Sequence, residues 1–261
     1  MTPWVSLGSL LAALIAYANG SAWRYVRRQQ SSAGDPRRDL ERVNRGHLAM
    51  LAVCLGWAAS ERISLRDLGM GRSAGSSVRW GLLLGGLGSA IADGFLALPT
   101  VRRRFTPPPE WSGMPPRTLM KLFCGNYLVG SAIFEEVAFR GLLHAKLRRH
   151  FAPATATFVG GAVFAAWHLI ITWFNLSRCG LRRSVMLPVY GLSLVVLFAV
   201  GTSLSWLRHT TGHIAGGVVA HWLLLVGTAL ALLRRAQAET GADQPPHPGL
   251  GLPWRREPLD L

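Results

Sequence analysis

The sequence predicts an all-α fold, a multi-pass transmembrane helical bundle of about seven to eight spans, and three observations support this prediction. Half of the 261 residues are hydrophobic and ten are Trp. The mean hydropathy is +0.26, although the polar segments are heavily charged, and this combination is typical of an integral membrane protein. Long apolar stretches also recur along the whole chain, with Arg-rich segments between them.

Seven apolar stretches are candidate spans, since crossing a bilayer takes about 20 residues. They are 3–23, 47–59, 78–98, 119–143, 153–174, 185–207 and 213–233. The first has no basic segment before it and therefore predicts a membrane span rather than a cleaved signal peptide. The second is short, and we expect it to be tilted, re-entrant or extended at its ends.

The segments between these stretches suggest how the chain is organised. Segment 60–80 predicts a short surface helix at the membrane interface, and the proline-rich segment 102–119 predicts a loop. We divide the chain into N-terminal spans with basic interfacial segments (1–117), a core (118–233) and a disordered tail (234–261).

The net charge of +15 points to membrane lipid rather than nucleic acid as a partner. The arginines lie in short polar segments beside apolar stretches, where they attract anionic lipid head groups. We therefore expect a multi-pass protein of the cell membrane that does not bind nucleic acid. Cys54, Cys124 and Cys179 are far apart and odd in number, so the sequence contains neither a disulfide framework nor a metal-binding spacing.

Three charged residues interrupt the stretch 119–143, namely Glu135, Glu136 and Arg140. A charge at the centre of a membrane helix costs about 2.5–3.5 kcal/mol. Glu136 and Arg140 are four residues apart, so they share a helix face and form an ion pair. Glu135 is turned about 100° away and has no local cation. A structural salt bridge explains the pair but not Glu135, whose environment is that of a general acid or base.

Two further ionisable residues, His168 and His221, lie deep in other apolar stretches. A lone His in a membrane helix often only forms a hydrogen bond in the core. Three helices that each bring ionisable groups to the middle of the membrane instead predict that these groups meet in the interior. Small residues allow close helix approach beside them; they are Gly160, Gly161, Ala165, Ala166, Gly216, Gly217 and Ala220.

Two carboxylates and two imidazoles around one water form a hydrolytic site. A carboxylate takes a proton from the water, one imidazole orients it, and the other stabilises the oxyanion. The same groups are acceptable Zn²⁺ ligands, and the candidates are Glu135, His168 and His221. HExxH and GxSxG motifs are absent, so a divalent metal such as Zn²⁺ and a water held by side chains alone both remain open.

Three ordered motifs resemble the CAAX prenyl protease and bacteriocin-processing family of intramembrane metalloproteases. They are EExxxR in "EEVAFRG", FxxxH in "FAAWH", and the His that ends "TGHIAGGVVAH". They correspond to Glu135, Glu136, Arg140, Phe164, His168 and His221. The upstream "SLRDLGMGR" also resembles the surface segment that precedes the core in this family.

The resemblance implies a protease core and a role for each site residue. Glu135 would activate the water, His168 would position it and His221 would face the oxyanion. Glu136 and Arg140 would pair and hold the site, although the resemblance does not decide which glutamate is the base. The substrate would be a membrane-associated peptide or protein.

Leu225 departs from the family pattern. It stands four residues after His221, where the family usually has a polar residue that helps to hold the oxyanion. Thr228 is a candidate substitute, about 4.5 Å further along the helix. Losing one oxyanion donor typically lowers the rate by about 10²–10³-fold. Two alternatives follow: a catalytically inactive relative that acts as an immunity or scaffold membrane protein, and a proton-coupled transporter, which would need polar residues along a path rather than one cluster.

Overall fold

The computed structural model describes residues 2–30, 36–71, 73–98, 101 and 115–241, and this part of the chain contains helices and no strand. The predicted all-α class is therefore confirmed. The helices are α1 (Pro3–Gln30), α2 (Pro36–Ser60), α3 (Gly75–Ala97), α4 (Arg117–Leu147), α5 (Pro153–Trp167), α6 (Leu169–Ser177), α7 (Arg183–Thr211) and α8 (Ala215–Gly241).

Each of the seven apolar stretches lies on a helix, and the stretch 153–174 contains two, α5 and α6, bent by 46° at a break. Five helices are long and apolar enough to cross a membrane, namely α1, α3, α4, α7 and α8. The pair α5 and α6 adds a sixth if it is one span. The predicted number of seven to eight spans therefore remains a prediction. Helix α2 is not among the candidate spans, and the first half of its sequence is charged.

Helix α4 is the central element and packs against α1, α2, α5, α7 and α8. Two of its segments, Lys121–Ile133 and Glu136–Leu143, are π-helical. All residues of the second segment are buried. The neighbouring helices therefore surround the charged half of α4, so its charges face protein rather than lipid.

Small residues bring the helices around α4 into close contact, as predicted. A Cβ atom on Gly85 of α3 would lie 2.9 Å from the Cα atom of Ala220 on α8. A Cβ atom on Gly161 of α5 would lie 3.0 Å from the backbone nitrogen of Thr202 on α7. Larger residues at these glycines would force the helix pairs apart.

The segment between α2 and α3 forms turns, so the predicted short surface helix over 60–80 is wrong. Ser64 and Asp67 hydrogen-bond each other through side chain and backbone, as at the start of a helix, but the helical bonding ends within one turn. Gly69 has a φ of 79°, a conformation that favours glycine. Arg208 of α7 donates to the Asp67 carbonyl at 2.8 Å, and the Ile214 nitrogen donates to the Gly69 carbonyl at 3.0 Å. These bonds dock the turns onto the junction of α7 and α8.

Two predicted segments fall largely outside the described residues. Of the proline-rich loop 102–119, residues 102–114 lie outside them, and α4 begins soon afterwards. Of the tail 234–261, residues 242–261 lie outside them, whereas α8 continues to Gly241. The domain boundaries at 117 and 233 therefore remain predictions.

A polar cluster around Glu61 joins one end of three helices. The Glu61 carboxylate accepts hydrogen bonds from Ser6 of α1, from Trp57 of α2 at 2.7 Å, from Lys146 of α4 and from Arg149 at 3.2 Å. Lys146 is only 2% exposed. A cavity of about 700 Å³ adjoins this cluster, and none of the five predicted site residues lines it.

We expect this cluster to make stability sensitive to acid. Burial alone would raise the pKa of Glu61, but hydrogen bonds from Lys146, Ser6 and Trp57 lower it to about 2. Because the folded-state pKa is depressed, the stabilisation is present above pH ~4.5 and is lost as the pH falls towards 2. Thermal unfolding of the purified protein should show a Tm that falls over this window.

The Glu61→Gln variant should unfold at a lower temperature than wild type at pH 7, and its Tm should fall less on acidification. Glu41→Gln, which changes an exposed carboxylate on α2, should keep the wild-type pH dependence. An unchanged acid response in Glu61→Gln would show that other groups control it.

Candidate functional site

The buried ion pair on α4 has the geometry that its spacing predicts. Arg140 Nη1 lies 2.9 Å from Glu136 Oε1, and both residues are 0% exposed. Arg140 also donates to the Gly201 carbonyl of α7 at 3.2 Å. Its guanidinium lies 4.4 Å from the ring centre of Phe164 on α5, a cation–π contact. Arg140 therefore ties α4 to two neighbouring helices while it neutralises Glu136.

Glu135 contacts the same residue as Glu136, although an α-helix turns adjacent side chains about 100° apart. Glu135 Oε2 lies 3.9 Å from His221 Nε2, and Glu136 Oε1 lies 3.4 Å from His221 Nδ1. Each carboxylate therefore approaches a different nitrogen of one imidazole. His221 thus contacts both carboxylates.

Three polar atoms at this meeting point have no hydrogen-bond partner within the described protein. They are Glu135 Oε2, Glu136 Oε2 and His221 Nδ1, each buried; the 3.4 Å contact of Nδ1 with Glu136 Oε1 is an ion-pair distance without hydrogen-bond geometry. A buried polar atom without a partner costs about 1–3 kcal/mol. Buried polar atoms that lie close together can bind a small polar molecule such as water.

His168 occupies the break between α5 and α6, where its φ and ψ are −97° and 5°. Its Nδ1 donates to the Phe164 carbonyl at 2.8 Å, so Nε2 is left as an acceptor. The Phe164 ring centre lies 4.7 Å from that of His168 and 6.1 Å from that of His221. Glu135, Glu136, Arg140 and His221 therefore meet directly, and His168 joins them through its contact with the Phe164 ring.

Two polar residues near the site were not predicted from the sequence. His47 of α2 stacks on Phe134 with ring centres 4.9 Å apart, and its Nδ1 lies 2.6 Å from the Gly130 carbonyl. Asn19 of α1 hydrogen-bonds the backbone on both sides of His168. Each is a polar residue in or at the edge of an apolar stretch. The same pattern predicts His168 and His221, so it could also have indicated these two residues.

Thr228 is poorly placed to replace the polar residue missing at Leu225. Its hydroxyl donates to the Leu224 carbonyl at 2.8 Å. The hydroxyl proton is thus used within its own helix, as is common for Thr in membrane helices. Leu225 itself is half-buried.

The side chains do not form a ready metal site. Among the residues that the structure describes, no three His, Cys, Asp or Glu side chains are grouped so that they could hold a metal ion. This applies to the candidate set Glu135, His168 and His221. A Zn²⁺ ion and a water held by side chains therefore both remain predictions for this site.

Because Gly217 on α8 has no side chain, the Glu136 carboxylate can occupy the space beside it. A Cβ atom on Gly217 would contact Glu136 Oε2 and lie 2.9 Å from Glu136 Cδ. Because Glu136 is held by Arg140, it cannot move away at low cost. We expect Gly217→Ala to destabilise the protein by about 1–3 kcal/mol, the usual range for overpacking, as measured by thermal unfolding.

Gly86→Ala is the matched control, because a Cβ atom on Gly86 of α3 would meet nothing within 4 Å. It should leave stability unchanged or raise it slightly, since Ala favours helix. Equal effects of the two substitutions would contradict a specific fit between Gly217 and Glu136.

Comparison with known proteins identifies a family model for the site region. Residues 117–226 match the family described as type II CAAX prenyl endopeptidase Rce1-like. The matched segment runs from α4 into α8 and contains all five predicted site residues, while α1, α2 and α3 precede it. Neither the curated proteins nor the solved structures gave a significant match.

Proposed function

We propose that this chain, whose residues 117–226 match the type II CAAX prenyl endopeptidase Rce1-like family, is an endopeptidase that hydrolyses a peptide bond of a membrane-associated substrate. The observation that carries the proposal is the meeting of Glu135, Glu136 and His221 in the bundle interior. Neutral core packing would not bring two carboxylates and an imidazole together at such a cost.

Glu135 is the better candidate for the general base. Glu136 is held in an ion pair with Arg140 at 2.9 Å, whereas Glu135 Oε2 has no hydrogen-bond partner in the described protein. In the proposed reaction Glu135 takes a proton from a water whose oxygen attacks the substrate carbonyl carbon. When the C–N bond breaks, Glu135 returns that proton to the leaving amine nitrogen.

The two histidines serve the water and the oxyanion. His168 donates from Nδ1 to its own helix, so Nε2 can accept a hydrogen bond from the water and orient it. An N–H group of His221 stabilises the oxyanion that forms on the carbonyl oxygen.

The pair of Glu136 and Arg140 holds the site together. The positive charge of Arg140 reduces the net charge of the two carboxylates from −2 to −1. The ion pair also fixes the position of Glu136. Its contacts with Gly201 and Phe164 keep α7 and α5 against α4.

A catalytically inactive relative is the second candidate function, and Leu225 favours it. The residue supplies no polar group to the oxyanion, and Thr228 is occupied in its own helix. Such a protein would retain the bundle and the ion pair and act as an immunity or scaffold protein.

Leu225→Asn should separate the two candidates. It restores a polar group one turn beyond His221, and we expect cleavage to rise by up to about 10²-fold, the low end of the effect of one oxyanion donor. The assay is cleavage of a membrane-tethered peptide library by purified protein in lipid. Leu230→Asn, at a position of α8 that faces outwards within the same candidate span, is the control for adding an amide to this helix and should not raise the rate.

Failure of both wild type and Leu225→Asn to cut any peptide would favour the inactive relative. The same assay with a chelator tests the metal question. Activity lost with the chelator and regained with Zn²⁺ would show that the water is bound to a metal.

A further inference from the structure

The 46° bend between α5 and α6 at His168 lies at none of the residue types that usually bend a helix. Sharp bends in helices normally occur at Pro, at Gly or Ser pairs, at π-bulges, or where a foreign group enters the hydrogen-bond ladder. The residues around the break, 165–170, are AAWHLI, with no Pro, Gly or Ser. That leaves a group that enters the hydrogen-bond ladder as the cause.

The side chain of Asn19 enters the ladder at the break. In an uninterrupted α-helix the Ile170 nitrogen would donate to the Ala166 carbonyl. Here the Ile170 nitrogen donates to Asn19 Oδ1 at 3.1 Å, and Asn19 Nδ2 donates to the Ala166 carbonyl at 3.1 Å. The carboxamide of α1 thus stands between the two groups of one backbone hydrogen bond and satisfies both.

Asn19 is itself held in place. Its Nδ2 also donates to the Ile15 carbonyl at 3.0 Å, one turn earlier on α1. An Asn that merely joins two helices needs one contact with the neighbouring backbone. Contacts with both members of an i and i+4 pair are instead the geometry of a wedge.

His168 lies midway between the two residues that Asn19 separates. Its backbone is outside the helical region, and its Nδ1 donates to the Phe164 carbonyl at 2.8 Å. Closing the ladder between Ala166 and Ile170 would bring residue 168 into helical geometry and move its imidazole.

We propose that Asn19 is a positioning residue, a wedge that sets the bend between α5 and α6 and thereby directs His168 towards Glu135. The hydrogen bonds alone support the role of Asn19 as a wedge. Its effect on the rate of peptide cleavage rests on the proposed function. The proposal makes α1, which lies outside the matched segment 117–226, a necessary part of the site.

The test compares wild type with Asn19→Leu and Asn19→Ala in lipid nanodiscs. Structures determined with a bound antibody fragment should show the bend reduced below about 20°, the range of ordinary helix curvature, and an Ala166–Ile170 hydrogen bond restored. In the peptide-cleavage assay kcat should fall by about 10–100-fold with KM unchanged, because a shift of about 1 Å in a positioned group has effects of this size.

Asn126→Leu is the matched control. It removes another hydrogen bond between helices, from Asn44 to Asn126 at 3.1 Å, without touching the ladder. It should keep both the bend and kcat. If Asn19→Leu does not accumulate, Asn19→Ala, which adds no bulk, serves for both measurements.

A bend that stays near 46° in the folded Asn19 variants would overturn the wedge. A straightened helix with unchanged kcat, or an equal loss of kcat in Asn126→Leu, would overturn the positioning role. If wild type cuts no peptide, the proposed function fails, and the bend measurement still decides whether Asn19 is a wedge.

Discussion

Replacing Glu135 with Gln should lower the rate of peptide cleavage by about 10²–10⁴-fold, the usual contribution of a general base. Gln keeps the shape of the side chain and can still hydrogen-bond, but it cannot take a proton from water. Glu135 carries no ion pair with Arg140, so its loss should leave the amount of protein in the membrane normal. The measurement is cleavage of a tethered peptide by purified protein in lipid, with expression quantified alongside.

The control for this experiment is Glu41→Gln, since the side chain of Glu41 is 67% exposed and lies far along α2 from the site. Cleavage should be unchanged in that variant. Wild-type rates in Glu135→Gln would remove Glu135 from catalysis. A loss in Glu136→Gln alone, with normal stability, would assign the base to Glu136 instead.

Arg140→Ala should destabilise the folded protein by about 3–5 kcal/mol, the cost of leaving one member of a buried ion pair without its partner. Glu136 would stay as a charge at 0% exposure, and the contacts of Arg140 with Gly201 and Phe164 would vanish with it. Reduced membrane levels and an earlier unfolding transition are the expected readouts.

Arg45→Ala is a control with the same spacing, because Arg45 pairs with Glu41 four residues earlier, at 3.7 Å and at an exposed position. It should change stability by no more than about 1 kcal/mol. The double variant Glu136→Gln with Arg140→Met should recover much of the lost stability, since removing both charges leaves none unpaired. Normal unfolding of Arg140→Ala would show that the pair does not hold the bundle.

The helical character of the bundle could be predicted because the membrane leaves little choice. A long apolar stretch in lipid must satisfy its backbone internally, and a helix does so with local hydrogen bonds. The pair of Glu136 and Arg140 was predictable for the same reason, since a spacing of four residues depends only on the helix that contains both.

Predictions that depended on regular geometry or on neighbouring elements were less successful. The segment after α2 has interfacial composition but forms turns, because Gly69 adopts a positive φ there and Arg208 holds the turns from another helix. Helix geometry places Glu135 about 100° from Glu136 and does not show which residue the two share. Their common contact with His221 depends on how α8 packs against α4, which has no signal in a single sequence.

The sequence by itself predicted an all-α membrane bundle, the pairing of Glu136 with Arg140, and the meeting of ionisable groups from three helices in the interior. Each of these follows from local spacing or from the cost of polarity in lipid. Only the tertiary structure decided that Glu135 turns towards His221, that Gly217 makes room for Glu136, and that Asn19 enters the helix at His168. These are contacts between helices far apart in the chain, and they depend on the close packing of side chains, which local patterns do not encode.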